Sequence, residues 1–288
     1  MSSPEKPSTV SLSAPTLLAA HGLLPKKSLG QNFLADPSTA RMLARKMDLT
    51  PEDLVVEIGA GTGALTFPLA ERAARVFAVE TDRRLCPLLA EQAQTWAPGN
   101  VTVVPGDFLT MSLSDFSAGT PLVVAGNLPY HISSQVLVKL IRERPLVKKA
   151  ALMFQKELAQ RILAGPGGRE YGRISVLAAY ASSVRALATL GPGHFFPPPK
   201  VDSVVLLFTF GRPGLADPRE EERFFKTVEA AFSTRRKTLR NALAMGGAVQ
   251  NTAQAQQALE RAGLDPSRRA ETLDLSEFIR LSQCLGEG

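Results

Sequence analysis

Asn127-Leu128-Pro129-Tyr130 follows the apolar run Leu122-Val123-Val124-Ala125, which puts the four residues at the end of an expected strand. Their types suit chemistry on the exocyclic amine of adenine. Such an amine is a poor nucleophile because its lone pair is delocalised into the ring. The side-chain carbonyl of Asn127 and the backbone carbonyl of Leu128 can each accept one N–H bond. That draws the amine toward tetrahedral geometry and localises its lone pair. Pro129 restricts the backbone so that the Leu128 carbonyl keeps one direction. Tyr130 can stack on the base, a contact worth about 1–3 kcal/mol. Catalysis would then consist mainly of positioning and hydrogen bonding, with no strong general base required. Taken in isolation, the same residues also describe a proline turn with a buried tyrosine.

A second constellation lies upstream. Glu57-Ile58-Gly59-Ala60-Gly61-Thr62-Gly63-Ala64 ends one expected strand and opens a helix. Glycines there permit positive φ and let a ligand approach bare backbone, while the helix start offers free N–H groups. Glu80 closes the next strand, where a carboxylate can accept both hydroxyls of a ribose. Gly59, Gly61 and Ala64 also satisfy the dinucleotide fingerprint, so at this point a nicotinamide dehydrogenase remains open. Gly106-Asp107 follows a third strand, and Asp107 can accept a hydrogen bond from an adenine amine. With Asn127 these are polar positions at four successive strand ends, which a shared fold brings to one rim.

The elements that must position them follow from hydrophobic pattern. Leu54–Ile58, Val76–Val79, Val101–Val104, Leu122–Ala125 and Ala150–Phe154 are nearly continuous apolar runs, as in parallel strands covered on both faces. Helical stretches separate them, Leu65–Arg72 and Ser133–Arg144 among them. The β-α-β-α-β order predicts an α/β fold, doubly wound and mostly parallel, with ligands at the carboxyl ends of its strands. Helices near Lys156–Leu163 and Ile174–Ala181 follow, then strands Val184–Leu190 and Val204–Phe210 that could pair as a hairpin. Gly211-Arg212-Pro213-Gly214 reads as a linker, and only helical pattern follows it. The expected organisation is a loose extension over 1–25 with a helical turn or two, a sheet domain over 26–212 and a small helical C-terminal domain over 213–288.

Composition narrows the class. Of 288 residues, 44% are hydrophobic and 21% charged, as in ordinary globular chains, and no apolar run approaches the ~18 residues of a membrane span. No signal-peptide pattern stands at the start. The two cysteines and three histidines are scattered, so neither a disulfide framework nor a metal site is expected, and reduced thiols point to a cytoplasmic location. The net charge of +6 agrees with an anionic partner.

In order and joint presence, the motifs resemble the family of ribosomal RNA adenine N6,N6-dimethyltransferases, most closely its small-subunit (16S) branch. The resemblance runs from about Lys26 to the C-terminal helices. It is carried by Gln31-Asn32-Phe33-Leu34, Glu57 to Gly63, Glu80, Gly106-Asp107, Asn127 to Tyr130, Phe195 through Ser203, and the run from Phe232 to Asn241. One departure is His131, where the family usually has Asn. The resemblance implies a Rossmann-like methyltransferase sheet and S-adenosylmethionine as cofactor. Asn32 and Leu34 would fold over that cofactor, Gly59 and Gly61 would line it, Glu80 would hold its ribose and Asp107 its adenine amine. Asn127 would take the target amine, and Tyr130 and Phe195 would sandwich the target base, with Phe196 the other ring able to stack. The implied acceptor is two adjacent adenosines near the 3′ end of 16S rRNA in an assembling small subunit, and the chain is expected to be a monomer.

Basic residues supply the remaining expectation. Arg235, Arg236, Lys237 and Arg240 crowd a probable helix start and suit phosphate contacts, as do Lys26 and Lys27. Arg83, Arg84, Arg142, Arg144, Lys148 and Lys149 could extend that track. Two alternatives keep the RNA and change the role: a large-subunit methyltransferase of the antibiotic-resistance type, or an assembly factor whose catalysis is secondary. The run Pro199-Lys200-Val201-Asp202-Ser203 and the basic C-terminal motif favour the small-subunit branch.

Overall fold

A computed structural model describes residues 13–117, 119–211, 215 and 217–286 of the chain. It contains nine strands: β1 (Phe33–Leu34), β2 (Leu54–Ile58), β3 (Arg75–Glu80), β4 (Val101–Pro105), β5 (Leu122–Asn127), β6 (Val147–Gln155), β7 (Ser182–Leu190), β8 (Phe195–Phe196) and β9 (Ser203–Phe210). Seven of them form one sheet in the order β4-β3-β2-β5-β6-β9-β7. β2 pairs in parallel with both β3 and β5, and β9 runs antiparallel to β6. The doubly wound, mostly parallel sheet expected from the pattern is therefore present, and the two late strands are neighbours in it.

The central strands earn their place by composition. Val55, Val56, Val123, Val124 and Ala125 are 0% exposed, so β-branched side chains fill both faces. β4 is different. As the edge strand it leaves Thr102 and Pro105 exposed and the three valines half-buried, so its apolar run reflects β propensity more than double coverage. The helix Ser133–Arg142 buries Val136, Leu137, Leu140 and Ile141, the i, i+3, i+4 spacing of one apolar face.

Contacts group the chain into two units, residues 1–156 with 185–209 and residues 157–184 with 210–288. The single boundary expected near 213 falls on residues outside the description, and the helical unit also takes in 157–184. The reason lies in packing: Tyr180 stacks on Phe224 with ring centroids 4.4 Å apart and meets Phe225 edge-on, so that segment buries its apolar face among the C-terminal helices. Those helices are Pro218–Ala231, Leu239–Met245, Thr252–Arg261 and Leu275–Cys284. Gly246 lets two of them approach, since a Cβ there would stand 2.5 Å from the Ala230 Cα.

The start of the described chain corrects a second expectation. Ala14–Ala20 is a helix, and Ala14, Leu17 and Leu18 are at most 5% exposed. It packs with Phe33 and Leu85, so this stretch of 1–25 is a seated helix and not a loose extension; residues 1–12 lie outside the described residues.

Candidate active site

Strand register assembles the rim. Ile58 lies opposite Gly126, so Gly59 and Asn127 leave β2 and β5 side by side. Ile58 also faces Val79, and Glu80 faces Pro105, which sets Glu80 beside Gly106 and Asp107. The strand order reverses direction about β2, and the crevice at such a switch point is where doubly wound sheets bind ligands. Here the crevice is a cavity of about 90 Å³ lined by Asn32, Gly59, Gly61, Glu80, Asp107 and the run from Asn127 to Tyr130. Phe33, Ile58, Val79 and Phe108 supply apolar wall.

Each polar residue is held by its surroundings. Gly59 and Gly61 have φ of +72° and +59°, a region L side chains avoid, and a Cβ on Gly61 would lie 2.9 Å from the Phe33 ring. The Glu80 carboxylate accepts from the Gly61 and Asp82 backbone N–H groups, both at 2.7 Å, and burial pushes its carboxyl up against those bonds. Each oxygen keeps a second acceptor site for a hydroxyl. Glu57 beneath it is fully enclosed and accepts from the Thr66 hydroxyl at 2.5 Å; burial pushes it up to about 8. It is therefore largely protonated near neutral pH, which joins strand β2 to the first turn of the following helix through neutral groups. Asp107 is exposed and caps a short turn through the Leu109 N–H at 3.0 Å.

Asn127 carries the most specific geometry. Its Nδ2 donates to the backbone carbonyl of Asn32 at 2.7 Å. That bond fixes which end of the amide is the donor and leaves Oδ1 as the acceptor beside the cavity. Tyr130 is half-buried, and its hydroxyl exchanges a hydrogen bond of 2.9 Å with the buried Ser203. Burial pushes the Tyr130 phenol up, so the ring stays neutral. Ser203 ends the Pro199–Ser203 motif, whose Asp202 pairs with Lys156 at 3.1 Å.

A strap over residues 26–34 forms one wall. Gln31 Nε2 donates to Asp82 at 3.1 Å, Lys26 pairs with it at 3.3 Å, and Arg84 at 2.6 Å. The Arg84 guanidinium first, with Gln31 and Lys26, holds the Asp82 carboxyl well below the usual carboxylate range. Neither Asp82 nor Ser203 was singled out as a site residue from sequence. The signal for Asp82 would have been a second carboxylate two places past Glu80.

Several expected residues stand elsewhere. β1 and β8 pair as an antiparallel ribbon, with Phe33 opposite Phe196 and Leu34 opposite Phe195. Opposed residues share a face, so Leu34 (3% exposed) and Phe195 (4%) point together into the main core, outside the cavity lining. Phe196 is the more exposed ring and packs with Phe33. Lys26 is engaged by Asp82, Lys148 pairs with Asp53 at 2.9 Å, and Lys149 donates to the Asp48 carbonyl. Lys27 is exposed. Arg235, Arg236, Lys237 and Arg240 belong to the helical unit, where the first three form a turn before the helix Leu239–Met245. Arg235 donates to the Arg169 carbonyl at 3.1 Å and Arg240 to Gln256 at 3.3 Å.

A doubly wound sheet, a glycine turn and a rim of carboxylates and amides at the strand ends define a domain built for a nucleoside-bearing ligand. Comparison with known proteins sharpens that class. A model of the family described as "Ribosomal RNA adenine dimethylase" matches residues 23–283, and the chain belongs to that family. It is 48% identical over 269 residues, 93% of the chain and 95% of the relative, to the "Ribosomal RNA small subunit methyltransferase A" of Desulforapulum autotrophicum. Among solved structures it is similar to a dimethyladenosine transferase from Plasmodium falciparum, at TM-score 0.73 and 27% identity, covering 86% of this chain and 95% of that one. The 23S rRNA methyltransferase ErmE is also similar, at TM-score 0.66 and 27% identity, covering 89% and 100%.

Among the described residues, no helix is long and apolar enough to cross a membrane.

Proposed function

We propose that the chain transfers methyl groups from S-adenosylmethionine to the N6 amine of two adjacent adenosines near the 3′ end of small-subunit (16S) rRNA. The observation that carries this reading is the Asn127–Asn32 bond, which leaves the Asn127 Oδ1 as an acceptor at the cavity. When bound, S-adenosylmethionine supplies an activated methyl on a sulfonium. The residues present fit it: Gly59 and Gly61 offer backbone without Cβ, Glu80 keeps acceptor sites for ribose hydroxyls, and Asp107 presents a carboxylate for the adenine amine. The cavity of about 90 Å³ is narrower than the ~300 Å³ of ordinary small-molecule sites and is bounded on one side by the strap over 26–34.

Asn127 Oδ1 and the Leu128 carbonyl accept the two N6–H bonds of the target, and Pro129 keeps the second carbonyl in place. Tyr130, held through Ser203, stacks on the base. Phe195 supports the ribbon from the core side in this arrangement. Arg235, Arg236, Lys237 and Arg240 meet phosphates, which set register and affinity while the base is read out of its stack.

The 48% identity to a small-subunit enzyme, against 27% to the 23S enzyme, supports the small-subunit acceptor. Radiolabelled methyl transfer to small subunits lacking the modification, followed by nucleoside analysis, tests it. Dimethyladenosine is the expected product; label confined to large-subunit RNA would overturn the acceptor.

A further inference from the structure

A second cavity lies wholly within the helical unit. It encloses about 360 Å³, within the ~300–1,000 Å³ range of small-molecule sites. One side is aromatic: Tyr171 and Phe232 meet edge-on with centroids 6.2 Å apart. The other is cationic, with Arg169 from the loop before the helix Arg173–Ala181 and Arg235 and Lys237 from the basic turn. The Arg235–Arg169 bond joins these two loops into one wall.

Two facts mark the cavity as incomplete without a ligand. Among the described residues, Arg169, Arg235 and Lys237 have no ion-pair partner; of the three carboxylate residues lining the cavity, Glu157 and Glu170 are engaged by Arg161, and Glu271 alone faces these three cations without an ion pair. Thr234, which lines the same cavity, has a buried Oγ1 with no hydrogen-bond partner. Buried hydroxyls are rarely left so, because the lost hydration is not replaced. The missing group must bring negative charge to the mouth, a polar edge to Thr234 and an apolar face to the rings.

We propose that this cavity seats one unstacked nucleotide of the RNA acceptor, its base against Tyr171 and Phe232 and its phosphate on Arg169, Arg235 and Lys237. The inference rests on the rRNA reading and deepens it, turning a basic surface into a pocket that selects an exposed nucleotide. A polymer fits better than a free mononucleotide, since the exposed Arg236 carries the cationic surface past the cavity lining. Base stacking and phosphate contact are the two terms by which proteins hold unpaired nucleotides.

Gly172 provides the test. It lines the cavity with an extended φ of −164°, and a Cβ there meets nothing within 4 Å. Gly172→Leu therefore plugs the space without removing any charge. Using the full chain and unmethylated small subunits, this variant is expected to raise KM for subunits about tenfold and to lower the salt slope of binding, because the excluded nucleotide takes its phosphate with it. Thr234→Val, of equal volume, is expected to weaken binding about fivefold, the loss of one neutral hydrogen bond. Arg169→Gln should lower the salt slope by about one. Parent-like binding by Gly172→Leu and Thr234→Val, with the Arg169 effect intact, would leave the cations as surface contacts and overturn the pocket alone. If Gly172→Leu does not fold, Thr234→Val decides. A parent chain that binds and methylates only large subunits sinks the rRNA reading, and the pocket with it.

Discussion

The side-chain amide of Asn127 donates to the main-chain carbonyl of Asn32 at 2.7 Å, so the end of β5 and the strap over 26–34 share one hydrogen bond. Under the function proposed above, the residue that would present an acceptor to the target is oriented by the segment that would close over the cofactor, and that bond would couple binding of the two substrates. Asn127→Ala is expected to lower kcat by about 10²–10³-fold, the usual effect of removing one preorganised hydrogen-bonding group. Steady-state methyl transfer measures this, and titration of S-adenosylmethionine should show weaker binding as well, because Asn32 loses its anchor.

Ser203 holds the Tyr130 hydroxyl at 2.9 Å, and under the proposed function it would position that ring. Ser203→Ala removes one hydrogen bond from the phenol, worth about 1 kcal/mol. We expect kcat/KM to fall several-fold through KM for the RNA, with affinity for S-adenosylmethionine retained. Tyr130→Phe should mimic this change, whereas Tyr130→Ala should lose far more. An equal loss in Tyr130→Phe and Tyr130→Ala would show that the ring itself contributes nothing.

Glu57 gives the fold a pH signature. Its folded value of about 8 lies above the ordinary 4.5, so its contribution is fully present below about pH 4.5 and is lost as pH rises toward 8. Between those limits the slope is at most about 1.4 kcal/mol per pH unit. Thermal melts of Glu57→Gln across pH 5 to 9 should show a flatter decline than the parent. Parallel curves would mean the carboxyl is not protonated in the folded chain.

Asp82 has the opposite sign. Its depressed carboxyl contributes stability above its ordinary value of 3.8, and that contribution is lost as pH falls. Asp82→Asn weakens the hold on Lys26, Gln31 and Arg84. A several-fold faster release of S-adenosylmethionine in stopped-flow is the expected outcome, with little change in kcat.

Phe195 and Phe196 can be separated by experiment. Phe195→Ala should cost about 3–5 kcal/mol in stability, as for a large core side chain, whereas Phe196→Ala should cost less. A Phe195→Ala protein that melts like the parent but has lost activity would instead return that ring to the base.

Much of this was legible from sequence, and the exceptions share a cause. Gly59, Glu80, Asp107 and Asn127 could be placed because strand ends in a parallel sheet converge whatever the side chains between them. Which way the Leu34 and Phe195 side chains face could not be read, because a two-residue ribbon has no periodicity to show which face points inward. The Lys26–Asp82 pair could not be read either, because the two residues are distant in sequence. The helices within 157–184 read as part of the sheet domain for the same reason: hydrophobic pattern shows that a face is buried, not against which partner.

The β1–β8 ribbon also bears on how the protein is made. Its halves are residues 33–34 and 195–196, and between them the chain completes β2 to β6 and then contributes 157–184 to the other unit. Closing so long a loop is slow relative to forming neighbouring parallel strands. The ribbon can pair only after residue 196 is translated, whereas the strap's bonds to Asp82 and Asn127 draw on residues made earlier, so the strap is tied down in two stages of synthesis.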